Sequence, residues 1–91
     1  MTKVVTDSGF EVEVDAETLQ DSMEFLDAII AADSGDLKGI PTLMSIMLNQ
    51  DDKKRLYEHC HVDGRTSIRK INTEIKDILS KMGGQSEPVK N

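Results

Sequence analysis

One row of apolar residues near the carboxyl end constrains this sequence more than any other feature. The row alternates spacings of three and four and consists of Ile68, Ile71, Ile75, Ile78 and Met82. This spacing puts all five side chains on one face of an α-helix, as in the core positions of a coiled coil. Thr66 or Ser67 can cap the helix, and Gly83 can end it. The sequence therefore predicts a carboxyl-terminal helix with one narrow apolar face, which packs against the second of the predicted helices.

The amino-terminal segment predicts a short β-hairpin. Residues 3–6 are β-prone, and the stretch 10–14 alternates Phe10, Val12 and Val14 with acids. The intervening 7–9 segment, Asp-Ser-Gly, is typical of a turn because glycine tolerates positive φ. An isolated two-stranded hairpin is marginal in water, so we expect its apolar face to cover the first helix.

Two helices are predicted directly after the hairpin. The first spans about 16–32 with Asp15 as its cap, and its apolar row has spacings of four, three and four: Leu19, Met23, Leu26 and Ile30. Residues 33–36 then favour a loop. A second helix opens near Pro41, which is best tolerated in a first turn, and carries the apolar run 43–48.

A short third helix precedes the isoleucine-rich one. Asp51 or Asp52 is its expected cap, and residues 62–64 are expected to break it. The side chains expected to point inward are Leu56, Tyr57 and Cys60. Since 91 residues are too few for two separate cores, the whole pattern predicts one small, mainly α domain over 1–84. This domain has an N-terminal hairpin followed by about four helices, and a flexible tail over 85–91.

Charge argues against nucleic acid as a partner, because the chain has 11 basic and 17 acidic side chains, a net charge of −6. Residues 1–36 hold ten acids and one base, whereas residues 65–91 hold six bases and three acids. This asymmetry could steer head-to-tail self-association or attract a basic partner; it could also be two solvated surfaces. No apolar run approaches the length of a membrane span or signal peptide, so we expect a cytoplasmic chain that does not enter a membrane.

The segment 58–61, Glu-His-Cys-His, is the only concentration of reactive side chains. It suggests a metal site, or a thiol nucleophile with its base. However, consecutive helical residues point about 100° apart, whereas ligands on a helix sit three or four apart. We therefore expect neither an enzyme nor a bound cofactor.

The second helix is apolar on nearly every side, so it should be either central to the core or part of an interface. Methionine adapts to irregular partners, which suits an exposed binding face. The candidate partner-binding residues are Ile40, Leu43, Met44, Met47 and Leu48. The alternative is a core helix in which most of these side chains are buried, and burial is the more common outcome for apolar residues of this kind.

In the order and spacing of its segments, the chain resembles the tail assembly chaperones of long-tailed, siphovirus-type bacteriophages and prophages. The resemblance covers residues 3 to about 82. Its segments begin with Gly9-Phe10, Val12-x-Val14-Asp15 and Asp21-x-Met23-x-Phe25-Leu26-Asp27. They continue with the apolar run 43–48, Lys53-Lys54-x-Leu56-Tyr57-Glu58-His59, Asp63-Gly64-Arg65 and the isoleucine-rich helix.

The resemblance implies a protein that binds the tape measure protein and keeps it soluble while the tail tube assembles. It also implies residence in the cytoplasm of the bacterial host, absence from the mature virion, self-association, and the major tail protein as a further candidate partner. The alternative is a small phage or prophage regulator that binds nucleic acid through its last helix, which begins near Arg65, Arg69 and Lys70.

A first prediction concerns the segment 58–61. Treatment with a chelator should leave the melting temperature unchanged, because no complete set of metal ligands is evident. The measurement is thermal unfolding with and without EDTA. A lowered melting temperature would restore a metal site at His59, Cys60 and His61.

Overall fold

The chain begins with an antiparallel hairpin of β1 (Thr2–Val5) and β2 (Glu11–Val14) in the computed structural model, which describes residues 1–36 and 38–83. The turn is closed by the Gly9 amide, which donates to the Thr6 carbonyl, and by the Thr6 amide, which donates to the Phe10 carbonyl. Gly9 takes a φ of 97°, which explains a glycine there. The predicted hairpin is confirmed.

In the described ranges five helices and a second, smaller hairpin follow. The helices are α1 (Ala16–Gln20), α2 (Met23–Asp33), α3 (Gly39–Met47), α4 (Gln50–His59) and α5 (Ile68–Gly83). The small hairpin pairs β3 (His61–Val62) with β4 (Arg65–Thr66) between α4 and α5. The prediction of a mainly α fold with an amino-terminal hairpin is confirmed.

The predicted first helix is interrupted at Asp21 and Ser22, so the expectation of one helix over 16–32 is wrong. Ser22 has an extended backbone, and its hydroxyl accepts a hydrogen bond from the Phe25 amide at 3.1 Å. A serine in this role starts a new helix, because it satisfies an amide that has no partner inside the helix. Asp15 does cap α1, as expected, by accepting from the Thr18 amide.

This interruption reverses which face of α2 is buried. Phe25 and Ala28 lie in the core, whereas Met23, Leu26 and Ile30 are 62%, 46% and 57% exposed. Of the predicted row, Leu19 is buried in α1, but the other three members run along the solvent side of α2; we call Met23, Leu26 and Ile30 the α2 stripe. The prediction was wrong because a helical period does not continue in phase across a break.

The isoleucine row forms the centre of the core, with one exception. Its four later members, Ile71, Ile75, Ile78 and Met82, are buried, but Ile68 is 71% exposed. The helix packs against α3, as predicted.

The main hairpin packs on α5 through β1, so the expectation that it covers the first helix is corrected. A long amphipathic helix offers a two-stranded hairpin a longer apolar face than the five-residue α1 does.

Two local predictions between α3 and α5 also need correction. Asn49, rather than Asp51 or Asp52, caps α4 by accepting from the Asp52 amide at 2.8 Å. The segment 62–64 is not merely a break, since Asp63 and Gly64 take φ values of 54° and 82° and turn the small hairpin. Two successive residues with positive φ are typical of the tight turns that join paired strands.

The segments α2 and α3 cross at very close range. Gly39, the first residue of α3, faces the backbone of Ala31 and Ala32, and a Cβ at Gly39 would lie 2.7 Å from the Ala32 Cα. Backbone atoms cannot rotate out of the way, so the crossing requires glycine.

None of the helices in residues 1–36 and 38–83 has both the length and the apolar character needed to cross a membrane. The tail predicted over 85–91 lies outside the described residues, as does residue 84 of the predicted domain.

We predict that Gly39→Ala lowers the free energy of unfolding by about 1–3 kcal/mol, the usual cost of overpacking. Alanine is the better helix former, but this gain is at most about 1 kcal/mol. The cost of the clash should therefore outweigh it. Urea denaturation measures the difference. Ser45→Ala, at an exposed position of α3, is the matched control and should change stability by less than about 0.5 kcal/mol. Equal stability of Gly39→Ala and the wild type would show that the two helices can separate without cost.

Candidate partner-binding surface

An apolar groove of about 300 Å³ opens between the end of α2, α3, α4 and the start of α5. Met44 and Ile71 form its buried floor, and Ile40 is half-buried beside them. Tyr57 and Ile68 stand exposed on its rim. The volume is at the lower end of the roughly 300–1,000 Å³ common for ligand sites, so the groove has room for a few apolar side chains.

The groove exists because the apolar row of α5 extends beyond the core that the chain supplies. Ile71 belongs to the core, but Ile68, one turn earlier, is exposed to solvent. The chain turns away here through the small hairpin, and Thr66 at its end lines the groove instead of filling it. An isoleucine in phase with a buried row but open to solvent is a position where a partner side chain can pack.

The structure separates the five residues predicted to bind a partner. Four of them are buried in the chain's own core: Leu43, Met44, Met47 and Leu48. Only Ile40 is partly exposed, and it lines the groove together with Met44. Of the two alternatives for this helix, the structure therefore supports the core position for these four side chains, since α2, α4 and α5 surround the helix. Ile40 and Met44 remain candidates through the groove.

The residues that sequence reasoning missed at this site are Tyr57 and Ile68, both of which were expected to point inward. Both line the groove, and the paired β3–β4 hairpin lies between them in the chain. The Asp63-Gly64 dipeptide was the available signal for that hairpin.

Apart from the groove, a polar cluster anchors the turn of the main hairpin to α4 and α5. The Ser8 hydroxyl donates to Glu74 Oε2 at 2.7 Å and lies 2.8 Å from His59 Nε2. A hydroxyl has only one proton to donate, and Ser8 donates it to the Glu74 carboxylate. In the contact between Ser8 and His59 the imidazole is therefore the donor. The carboxylate and the imidazole both meet the serine and not each other, unlike a catalytic triad, in which the carboxylate orients the imidazole.

Glu74 is also where an expected surface ion pair fails. Its spacing from Lys70 predicts a pair on the outside of α5, but Glu74 is only 5% exposed and turns toward Ser8. Its Oε1 has no hydrogen-bond donor among the described residues.

The corresponding pair Asp77–Lys81 does form, at 2.8 Å, and it extends to the hairpin. Lys81 also lies 3.0 Å from Asp7 Oδ1, and the Asp7 amide donates to Asp77 Oδ2 at 2.6 Å. The hydrogen bond from Lys81, with that from the Asp7 amide, lowers the pKa of Asp77 below its usual value. These contacts fix the hairpin on α5, away from the groove.

The segment 58–61 does not converge on one point. His59 faces the hairpin, where its ring lies 5.3 Å from that of Phe10, whereas His61 is exposed in β3. Cys60 is 1% exposed, and burial, together with the charge of Glu74, raises the pKa of its thiol. Across residues 1–36 and 38–83, no three His, Cys, Asp or Glu side chains are placed to share a metal ion.

Comparison with protein-family models, with curated proteins and with solved structures gives no match.

We predict that Met44→Lys combined with Met47→Lys unfolds the chain. Each ammonium would be buried without a partner at a cost of several kcal/mol, against a total stability of about 5–14 kcal/mol for a chain of this length. The measurement is helicity by circular dichroism. Ile68→Lys, on the exposed rim, is the control and should keep its helicity. Full helicity in the double variant would contradict the core position of α3.

Proposed function

We propose that this protein is a binding module that holds apolar segments of a partner protein, and that its partner is the tape measure protein of a long-tailed phage. In this role it is a tail assembly chaperone in the cytoplasm of the bacterial host. It keeps the tape measure protein soluble and leaves as tail subunits assemble around it. It needs no bond-making chemistry for this function.

The observation that carries the proposal is the open groove beside Ile68. A floor of buried apolar side chains with an exposed isoleucine on the rim suits the side chains of a partner helix, which present apolar anchors every three or four residues. A segment laid along α5 would continue the apolar row that the chain itself leaves uncovered.

The small size of the groove fits a chaperone that must later be displaced. A site that accepts only a few side chains binds weakly on its own. Many copies along one long partner gain strength from their number, and each can still be removed separately. A long, repetitive helical partner is therefore better suited to this site than a small ligand.

A nucleic-acid-binding regulator is the second candidate, and one observation favours it. Arg69, Lys70 and Lys76 are exposed on α5 and form no ion pair within the described residues. The opposing fact is the net charge of −6, which weakens attraction to phosphates.

The test is co-expression of this chain with the tape measure protein of the same phage. We expect the soluble fraction of the tape measure protein to rise several-fold. The double variant Tyr57→Lys with Ile68→Lys should abolish that rise, because two charges on the rim oppose the entry of apolar side chains. Quantifying the tape measure protein in the cleared lysate measures the effect.

The matched control is Ser45→Lys with Ser80→Lys, which adds the same charge at exposed positions outside the groove. It should solubilise the partner as the wild type does. If the wild-type chain leaves the tape measure protein insoluble, the chaperone function is wrong. Retention of the chain on a DNA column, lost as salt rises, would favour the regulator instead.

A further inference from the structure

The solvent side of α2 holds a second apolar surface that the groove does not explain. The α2 stripe, Met23, Leu26 and Ile30, has the spacing of one helix face, and each side chain is about half exposed or more. Three large apolar side chains in one exposed row exceed the single exposed residues that are normal on a protein surface.

The border of the stripe is acidic. Asp27 lies four residues after Met23 and three before Ile30, and Asp33 lies three after Ile30, so both neighbour the stripe. Residues 4–36 contain ten acids and no lysine or arginine. Within the described residues neither Asp27 nor Asp33 forms an ion pair. An occupant of this surface should therefore present an apolar side chain flanked by bases.

The same chain carries such an element at the start of α5. Among the described residues, Ile68 is the most exposed large apolar side chain after Met1, and Arg65 and Arg69 near it are exposed as well. Residues 65–73 contain three bases and no acid. The chemistry of this element complements the α2 stripe in both charge and apolar character.

The two surfaces cannot meet within one molecule. Ala32, on the buried side of α2, lines the groove next to Ile68, whereas the α2 stripe lies on the opposite side of that helix. A contact between them must join two copies. Because it pairs two different surfaces, it is a head-to-tail contact, which repeats from copy to copy unless it closes into a ring.

We propose that the α2 stripe is a docking surface for a second copy of this chain, which inserts Ile68 between Leu26 and Ile30 and pairs Arg65 and Arg69 with the acids of α2. The contact does not depend on the tape measure protein. Since Ile68 also forms the rim of the groove, a docked copy and a partner segment compete for it.

Sedimentation velocity of purified chains tests the contact. The weight-average mass of the wild type should rise above the 10.1 kDa of one chain as concentration increases. It should fall toward that value in about 1 M salt, where screening shortens the reach of charges to about 3 Å. Leu26→Lys and Ile68→Glu each remove one of the two surfaces, so each variant alone should stay monomeric.

Sedimentation of a mixture of the two variants is the decisive experiment. Leu26→Lys keeps its Ile68, and Ile68→Glu keeps its α2 stripe, so an equimolar mixture should form dimers and nothing larger. The controls Ser45→Lys and Ser80→Glu, exposed and outside both surfaces, should associate as the wild type does. Circular dichroism checks that every variant keeps its helicity.

Three results would overturn the proposal. A wild type that stays monomeric at every concentration has no such contact. Association of Ile68→Glu alone would mean that two stripes pair with each other. A monomeric mixture would mean that the stripe and Ile68 do not meet. Because no tape measure protein is present, any of these results leaves the chaperone proposal standing.

Discussion

Burial of the apolar face of α5 is the interaction on which the rest of the structure depends. Ile75 and Ile78 have no exposed surface, and each side chain contributes about 1.5–3 kcal/mol when fully removed from water. The main hairpin and α3 both pack on this helix, although they are far apart in sequence. Neither would hold its position alone, since a two-stranded hairpin is marginal and a nine-residue helix is too short to be stable in isolation.

Polar contacts fix the orientation of the main hairpin on α5, which apolar burial alone does not determine. Apolar packing is not directional, so the hairpin could slide along α5 without losing much area. Ser8 prevents this by bonding to both Glu74 and His59, so that one turn is tied to two helices. Arg55 adds a guanidinium 5.0 Å from the centre of the Phe10 ring. The reactive-looking histidine therefore has a structural use that its neighbours in sequence did not reveal.

The sequence predicted the elements whose apolar periodicity is uninterrupted. It did not predict the buried face of a helix that follows a break. The α5 row and the main hairpin could be predicted because each is one regular element. The buried face of α2 could not, because Ser22 restarts the helix and the period before it says nothing about the period after it. At the candidate site, Ile40 and Met44 were predicted, whereas the exposure of Ile68 depends on where the β3–β4 hairpin carries the chain. Such tertiary geometry leaves no periodic signal.

The two wrong predictions of burial, one for the α2 stripe and one for Ile68, have the same physical origin. A helical pattern predicts burial correctly when the rest of the chain packs against the predicted face, and at the α2 stripe and at Ile68 this short chain leaves that face exposed. A chain of 91 residues has little apolar surface to spare for its own core, so leaving Met23, Leu26, Ile30 and Ile68 uncovered carries a cost in stability and in solubility. That cost is offset when a second molecule covers them, since binding to the folded state stabilises it. The wrong predictions of burial thus identify the surfaces where association, with a copy or with a partner, has the most free energy to gain.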